Sequence, residues 1–183
     1  MKCVLPPRLV FQQQLIRIHP VINQDIAFSA LTMTRIDFYF NAESRLQIAS
    51  RITVKAVRQR LRVVIVARDE VISRSMDKLL WSQYPTGFTP HCFGGDRLLV
   101  DDTPVLLLVR ETDFQTHLDV LINLGEEPPL MFERFQRLVE IVSRDDKSDQ
   151  VKARKRFRFY KDRGYAMSHY NLDTLNEGTT GGR

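Results

Sequence analysis

Cysteine is nearly missing: only Cys3 and Cys92 occur in 183 residues, far apart and in no CxxC pair. Two such residues build neither a zinc site nor a disulfide framework, and a reducing cytoplasm is the expected compartment. Long apolar runs are missing as well. No stretch approaches the roughly 18 consecutive apolar residues that a membrane-spanning helix needs, so no membrane association is expected. Glycine is scarce, with eight in the chain and none before Gly87. Neither a GxGxxG turn nor a GxxxxGK[ST] loop can be written anywhere, which argues against a cradled nucleotide, and no cofactor is expected. The GxSxG elbow of a serine hydrolase is absent, and His19, His91, His117 and His169 show no HxxxH or HExxH spacing for a metal.

What is present is ordinary for one soluble domain. Hydrophobic residues make up 43% and charged residues 27% of the chain, and its length suits a single core. The formal charge is +5, unevenly distributed. Residues 33–143 carry 14 basic against 15 acidic groups, whereas residues 151–163 carry seven basic against one. This distribution points to one basic patch for one acidic partner rather than a whole-protein affinity for nucleic acid.

Residues 1–32, with Pro6, Pro7 and Pro20, hold neither period and read as an extension. Lys2 followed by apolar residues hints at a signal peptide, but the prolines, Arg8 and the Gln12–Gln14 run break any apolar core, so export is not expected. A regular pattern starts at Met33, a candidate for the true initiator.

From there strands and helices alternate. Ile36, Phe38 and Phe40 recur every second residue, as a strand over a core requires. Ser44 with Gln47 predicts a capped helix whose inner face carries Leu46, Ala49, Ile52 and Ala56. Val63–Ala67 is a β-branched run suited to a strand covered on both faces. Asp69 caps a second expected helix, with Ile72, Met76, Leu79 and Leu80 inward and its end near Trp81.

Residues 82–96, rich in proline and glycine, read as a loop with a short extended piece. Leu98–Val100, Val105–Val109 and Val120–Leu124 are expected strands. Gly125–Pro129 is expected to open a helix with Phe132, Phe135 and Leu138 inward, with a last strand over Leu138–Val142 as the alternative. A final helix should run from Asp145 or Asp146 to Gly164, and residues 172–183 should be a disordered tail. This order implies an α/β fold, a Rossmann-like three-layer sandwich with a mainly parallel or mixed sheet, over residues 33–171. The turn after the first strand, Asn41-Ala42-Glu43-Ser44, places a glutamate where a pyrophosphate would sit.

Catalytic groups are not gathered. Cys92 and His91 are adjacent on an extended segment and so point to opposite faces, which makes Cys92 a core residue. The acidic pairs Asp101–Asp102, Glu126–Glu127 and Asp145–Asp146 suit turns and helix starts. Two clusters are less easily dismissed. Trp81, Tyr84, Pro85, Phe88 and Pro90 concentrate rigid apolar groups in a loop, which either folds back onto the core or offers a protein-binding hot spot.

The terminal helix carries Lys152, Arg154, Lys155, Arg156, Arg158, Lys161 and Arg163 around Ala153, Phe157 and Tyr160. It reads either as a solvated cationic helix, with Ala153, Phe157 and Tyr160 packing inward, or as a grip for carboxylates beside an aromatic slot. Phosphate binding would use the same residues.

These strings, in order, resemble the chi subunit family of bacterial DNA polymerase III. The likeness rests on Ile36-Asp37-Phe38-Tyr39-Phe40, Met76-Asp77-Lys78-Leu79-Leu80-Trp81, Phe88-Thr89-Pro90-His91, Pro104-Val105 and Leu121-Ile122-Asn123-Leu124. It continues through Ala153-Arg154, Phe157, Tyr160 and Gly164-Tyr165. The resemblance implies a non-enzymatic adaptor of the clamp loader with two faces. Trp81, Phe88 and Pro90 would meet the psi subunit. Val142, Lys152, Arg154 and Phe157 would meet the acidic C-terminal tail of single-stranded DNA-binding protein, so that nucleic acid is reached indirectly.

Two positions depart from the family pattern. Gln150 stands where a lysine is expected, with Lys147 or Lys152 as replacement cations, and Phe157 keeps a ring but loses a tyrosine hydroxyl. The alternatives are a direct nucleic-acid binder using residues 152–163 and a nucleotide-dependent enzyme of Rossmann type.

Overall fold

A computed structural model describes residues 33–82, 88–94, 103–109 and 117–177. The expectations for the extension 1–32, for Tyr84, Pro85, Leu98–Val100, Asp101 and Asp102, and for 178–183 lie outside these residues. The described strands are β1 (Arg35–Ala42), β2 (Val63–Ala67), β3 (His91–Phe93), β4 (Val105–Leu108), β5 (Val120–Leu124), β6 (Arg137–Ser143) and β7 (Met167–Asn171). They form one sheet in the order β3-β4-β2-β5-β6-β1-β7, and every pairing is parallel.

The helices are α1 (Arg45–Arg58), α2 (Glu70–Ser82), α3 (Lys147–Asp162) and α4 (Leu172–Glu177). Ala49 and Ala56 of α1 and Met76 and Leu80 of α2 pack on one sheet face with Val63, Ile65 and Ile122. Ala153 and Tyr160 of α3 pack on the other with Ile36, Phe38, Val64 and Leu138. The result is the three-layer sandwich that alternating strands and helices require.

Local chemistry sets the helix limits. The Ser44 hydroxyl accepts from the Gln47 N–H at 3.3 Å, Asp69 Oδ1 accepts from Ile72 at 2.9 Å, and Asp146 Oδ1 accepts from Asp149 at 3.1 Å. Each satisfies an otherwise orphaned donor of a first turn. The Asp69 carboxyl is held below its usual range chiefly by that backbone donor.

Both α1 and α3 end in a Schellman motif. In α1, Leu61 N–H reaches Ala56 O at 3.0 Å and Arg60 N–H reaches Val57 O at 2.9 Å. In α3, Tyr165 N–H reaches Tyr160 O at 3.3 Å and Gly164 N–H reaches Lys161 O at 3.0 Å. The left-handed position is Gly164 in one motif and Arg60 in the other, at φ of 77° and 62°.

Two expectations are corrected and one strand is added. No helix follows Gly125: only a 3₁₀ turn, Phe132–Arg134, precedes β6. The spacing of Phe132, Phe135 and Leu138 imitates a helix, but Leu138–Val142 is buried throughout as a strand flanked by two others, the alternative the sequence allowed. Residue 172 opens α4 rather than a tail, and Leu172 packs against the core. Finally β7, not anticipated, extends the sheet beyond β1.

Sheet order positions the site. The chain leaves β1 toward α1 on one face, and leaves its neighbour β6 toward α3 on the other. Adjacent parallel strands whose connections diverge open a crevice at their carboxyl ends.

Candidate binding sites at the strand ends

In that crevice lies a cavity of about 480 Å³, bounded by Phe38, Phe40 and Asn41 of β1, Val142 and Ser143 of β6, Gln150, Ala153, Arg154 and Phe157 of α3, and His169 of β7. Its lining is chiefly apolar. Phe38 forms the floor, with its ring edge-on to Phe157 at 5.4 Å, and His169 lies 5.3 Å beyond Phe157. Asn41, at φ 63°, closes one end by donating to Asn171 Oδ1 and Asp173 Oδ2 at 3.0 and 2.8 Å. The Gln150 amide donates to the carbonyls of Arg144 and Ser143 at 2.6 and 3.3 Å, so it fastens α3 to the end of β6 and brings no charge.

Arg154 stands exposed at the rim, in no ion pair among the described residues. An apolar cavity with one available guanidinium at its mouth suits a ligand that carries a carboxylate beside a large apolar group.

Under α3 the charges are arranged differently. Arg156 is fully buried against Glu140, Nε to Oε2 at 2.8 Å, and also donates to Glu126 O at 2.8 Å. Glu140 Oε1 accepts from the Tyr160 hydroxyl and from the Asn123 amide, both at 2.9 Å. Arg45, its pKa lowered by burial, pairs with Asp149 at 3.2 Å. Asp149 in turn accepts from the Ser143 N–H at 2.8 Å. This network fixes α3 on the sheet, and therefore fixes the wall of the cavity.

A second candidate lies where α2 ends and β3 begins. Trp81 and Phe88 stack with their centroids 4.4 Å apart and are 59% and 52% exposed. Pro90 beside them is exposed too. Below the stack, the His91 ring meets Trp81 edge-on at 5.6 Å. Its Nε2 lies 2.9 Å from Asp77 Oδ1 and its Nδ1 lies 2.7 Å from Thr89 O. The carboxylate and the carbonyl flank the ring on either side, and the ring supports the indole.

The family model described as DNA polymerase III chi subunit, HolC, matches residues 33–168. The chain belongs to the DNA polymerase III chi subunit family. It is 35% identical over 147 residues to DNA polymerase III subunit chi of Pseudomonas aeruginosa, covering 78% of this chain and 100% of that protein. It is 25% identical over 126 residues to DNA polymerase III subunit chi of Haemophilus influenzae, covering 69% and 86%.

The fold brings most of the singled-out residues of this chi-family chain together. Val142, Arg154 and Phe157 line the cavity, while Trp81, Phe88 and Pro90 form one exposed patch. Trp81 and Phe88 are exposed rather than folded back onto the core. Lys152 is placed elsewhere. It points away from the cavity and bonds Glu126 at 2.6 Å, and that contact is the main cause of the lowered Glu126 pKa. Arg156 leaves the solvated cationic helix for the interior.

Phe38 and His169, which complete the cavity, went unassigned in the sequence. Phe38 carries only a core signal, and His169 sits on the unanticipated strand. Cys92 is buried in the core, as expected from its opposition to His91. Among the acidic pairs, Asp146 is a cap and Glu126 an ion-pair partner. Among the described residues no group of three His, Cys, Asp or Glu side chains is arranged to hold a metal, and no helix is long and apolar enough to cross a membrane.

Proposed function

We propose that this chi-family chain is a non-catalytic adaptor of the DNA polymerase III assembly. One face takes the acidic C-terminal tail of single-stranded DNA-binding protein, and the other takes the psi subunit of the clamp loader. The observation that carries the tail assignment is the apolar cavity with Arg154 available at its mouth. A tail ending in an aromatic residue would place its ring against Phe38 and Phe157, and its carboxylates on the guanidinium. For the psi face, the support is the exposed Trp81–Phe88 stack, since rigid aromatics beside proline are typical hot-spot anchors.

Titration of the full chain with a labelled tail peptide tests the first assignment. Binding should weaken with salt, and Arg154→Glu should abolish it. Unchanged affinity in that variant would remove the assignment.

A further inference from the structure

The outer face of α3 is left over when both docking faces have been assigned. Lys147, Arg154, Arg158 and Lys161 follow one another at spacings of seven, four and three residues, with Val151 in the gap and Lys155 alongside, and all six are exposed. They form one stripe about 21 Å long at 1.5 Å per residue. Eight cations elsewhere, Arg35, Arg45, Arg68, Arg74, Arg137, Arg144, Lys152 and Arg156, each take a carboxylate, while exposed Arg51 and Lys55 on α1 enter no ion pair among the described residues but make no row of this length. Among the described residues, none of the five stripe cations enters an ion pair. The carboxylates nearest in sequence do little to neutralise it. Asp146 caps the helix, Asp149 is turned inward to Arg45, and Asp145 and Asp162 lie at the two ends.

We propose that this stripe is a second, direct contact, made to the phosphate backbone of nucleic acid. Three lysine point charges with two guanidiniums, Arg154 and Arg158, between the end lysines suit a row of phosphates. A peptide or a bilayer would need apolar anchors, and Val151 is the one large apolar side chain on the stripe. Among the described residues of α3 no ring is exposed for bases to stack on: Tyr160 is buried, Phe157 lines the cavity, and Phe159 is half-buried and covered by the Arg163 guanidinium at 3.6 Å. Binding is therefore salt-sensitive and indifferent to base identity. Arg154 belongs to both the stripe and the cavity rim, so a tail seated in the cavity brings its DNA alongside α3. The proposal adds to the adaptor reading and does not depend on it.

The test uses the full chain and two probes, a labelled single-stranded oligonucleotide and the tail peptide, each titrated over a salt series. Three to five phosphate contacts give a slope of log K on log salt of roughly −2 to −3.5. The triple variant Lys155→Gln, Arg158→Gln, Lys161→Gln should lose at least tenfold in oligonucleotide affinity and flatten the slope by about 2, with peptide affinity changed less than threefold. The swap Lys155→Arg, Arg158→Lys, Lys161→Arg should bind the oligonucleotide as wild type does, and thymine and adenine oligonucleotides should bind alike.

Absence of oligonucleotide binding at the lowest salt, or wild-type binding by the triple Gln variant, overturns the proposal. So does loss of peptide binding in that variant with the melting curve unchanged, which would make the stripe part of the tail site. Failure of the adaptor reading looks different: the oligonucleotide binds and the peptide does not.

Discussion

Arg154 and Arg156 stand two positions apart on α3 and meet opposite fates. Arg154 is exposed at a cavity mouth with no carboxylate beside it, while Arg156 is wholly buried against Glu140. A helix turns about 100° per residue, so two positions carry a side chain to the far side. Asp149, Ala153, Arg156 and Tyr160 make the inner stripe, and Lys147, Arg154, Lys155, Arg158 and Lys161 make the outer one. Charge as a composition says nothing of role; angular position does.

The largest effect that can break this contrast is on stability. Arg156→Ala would strand Glu140 in the interior and should cost about 3 to 5 kcal/mol in denaturant unfolding, whereas Arg154→Ala should change stability by less than about 0.5 kcal/mol. Glu140→Leu combined with Arg156→Leu should recover most of the loss, because a buried pair replaced by apolar groups of similar volume is often tolerated. Equal effects of the two single alanine variants would sink the distinction between the faces.

The same contrast explains what the sequence disclosed. Val63–Ala67, Val120–Leu124 and the limits of α3 were legible because a β-branched run, a continuous apolar run, an Asp cap and a left-handed glycine each act locally. Strand β6 was obscured by Glu140, a charge in the middle of an otherwise apolar run, whose partner lies 16 residues away on α3. Strand β7 was missed because Met-Ser-His-Tyr-Asn at a sheet edge, half-exposed along its length, carries little periodic signal.

Arg156 could have been found. It falls three residues after Ala153 and four before Tyr160, on the side already assigned to the core. The cavity itself depended on three strands and a helix meeting, which no single segment encodes. Lys152 stands away from the cavity for the same angular reason that buries Arg156, four residues on.

Aromatic side chains repeat the comparison at the other candidate face. Phe38 and Tyr160 are packed edge-on in the core, while Trp81 and Phe88 stack in the open. Trp81→Ala and Phe88→Ala should each weaken capture of the psi subunit by more than about 1 kcal/mol while moving stability far less than truncation of a core ring. Wild-type capture accompanied by a large stability loss would mean that the stack serves packing.

Tyr165 lies three residues beyond the end of α3, edge-on to Phe132 at 5.2 Å with its hydroxyl donating to Glu133. Burial first, then the bond to Glu133, pushes its pKa up to about 12. The folded chain thus holds the phenol proton more tightly than the unfolded chain, whose value is about 10. Its effect is nil below pH 10, and stability falls as pH rises from about 10 through about 12. Allowing for solvent screening, the drop is on the order of 1 kcal/mol, and Tyr165→Phe should remove it. Equal alkaline slopes in variant and wild type would show the site to be too open to matter.

The smallest effect concerns the backbone beneath exposed side chains. Arg60 and Gly164 occupy the same left-handed place in matching helix ends, yet one carries a side chain that disfavours it. A Cβ added at Gly164 meets nothing within 4 Å, so a substitution there registers backbone strain alone. Arg60→Gly should stabilise by about 0.5 to 1 kcal/mol, and Gly164→Ala should destabilise by a similar amount. If Arg60→Gly instead destabilised, the exposed Arg60 side chain would be contributing contacts worth more than the strain of its backbone. Exposure would then no longer mark a side chain as available to a partner, and the division drawn between the faces of α3 would need the same correction.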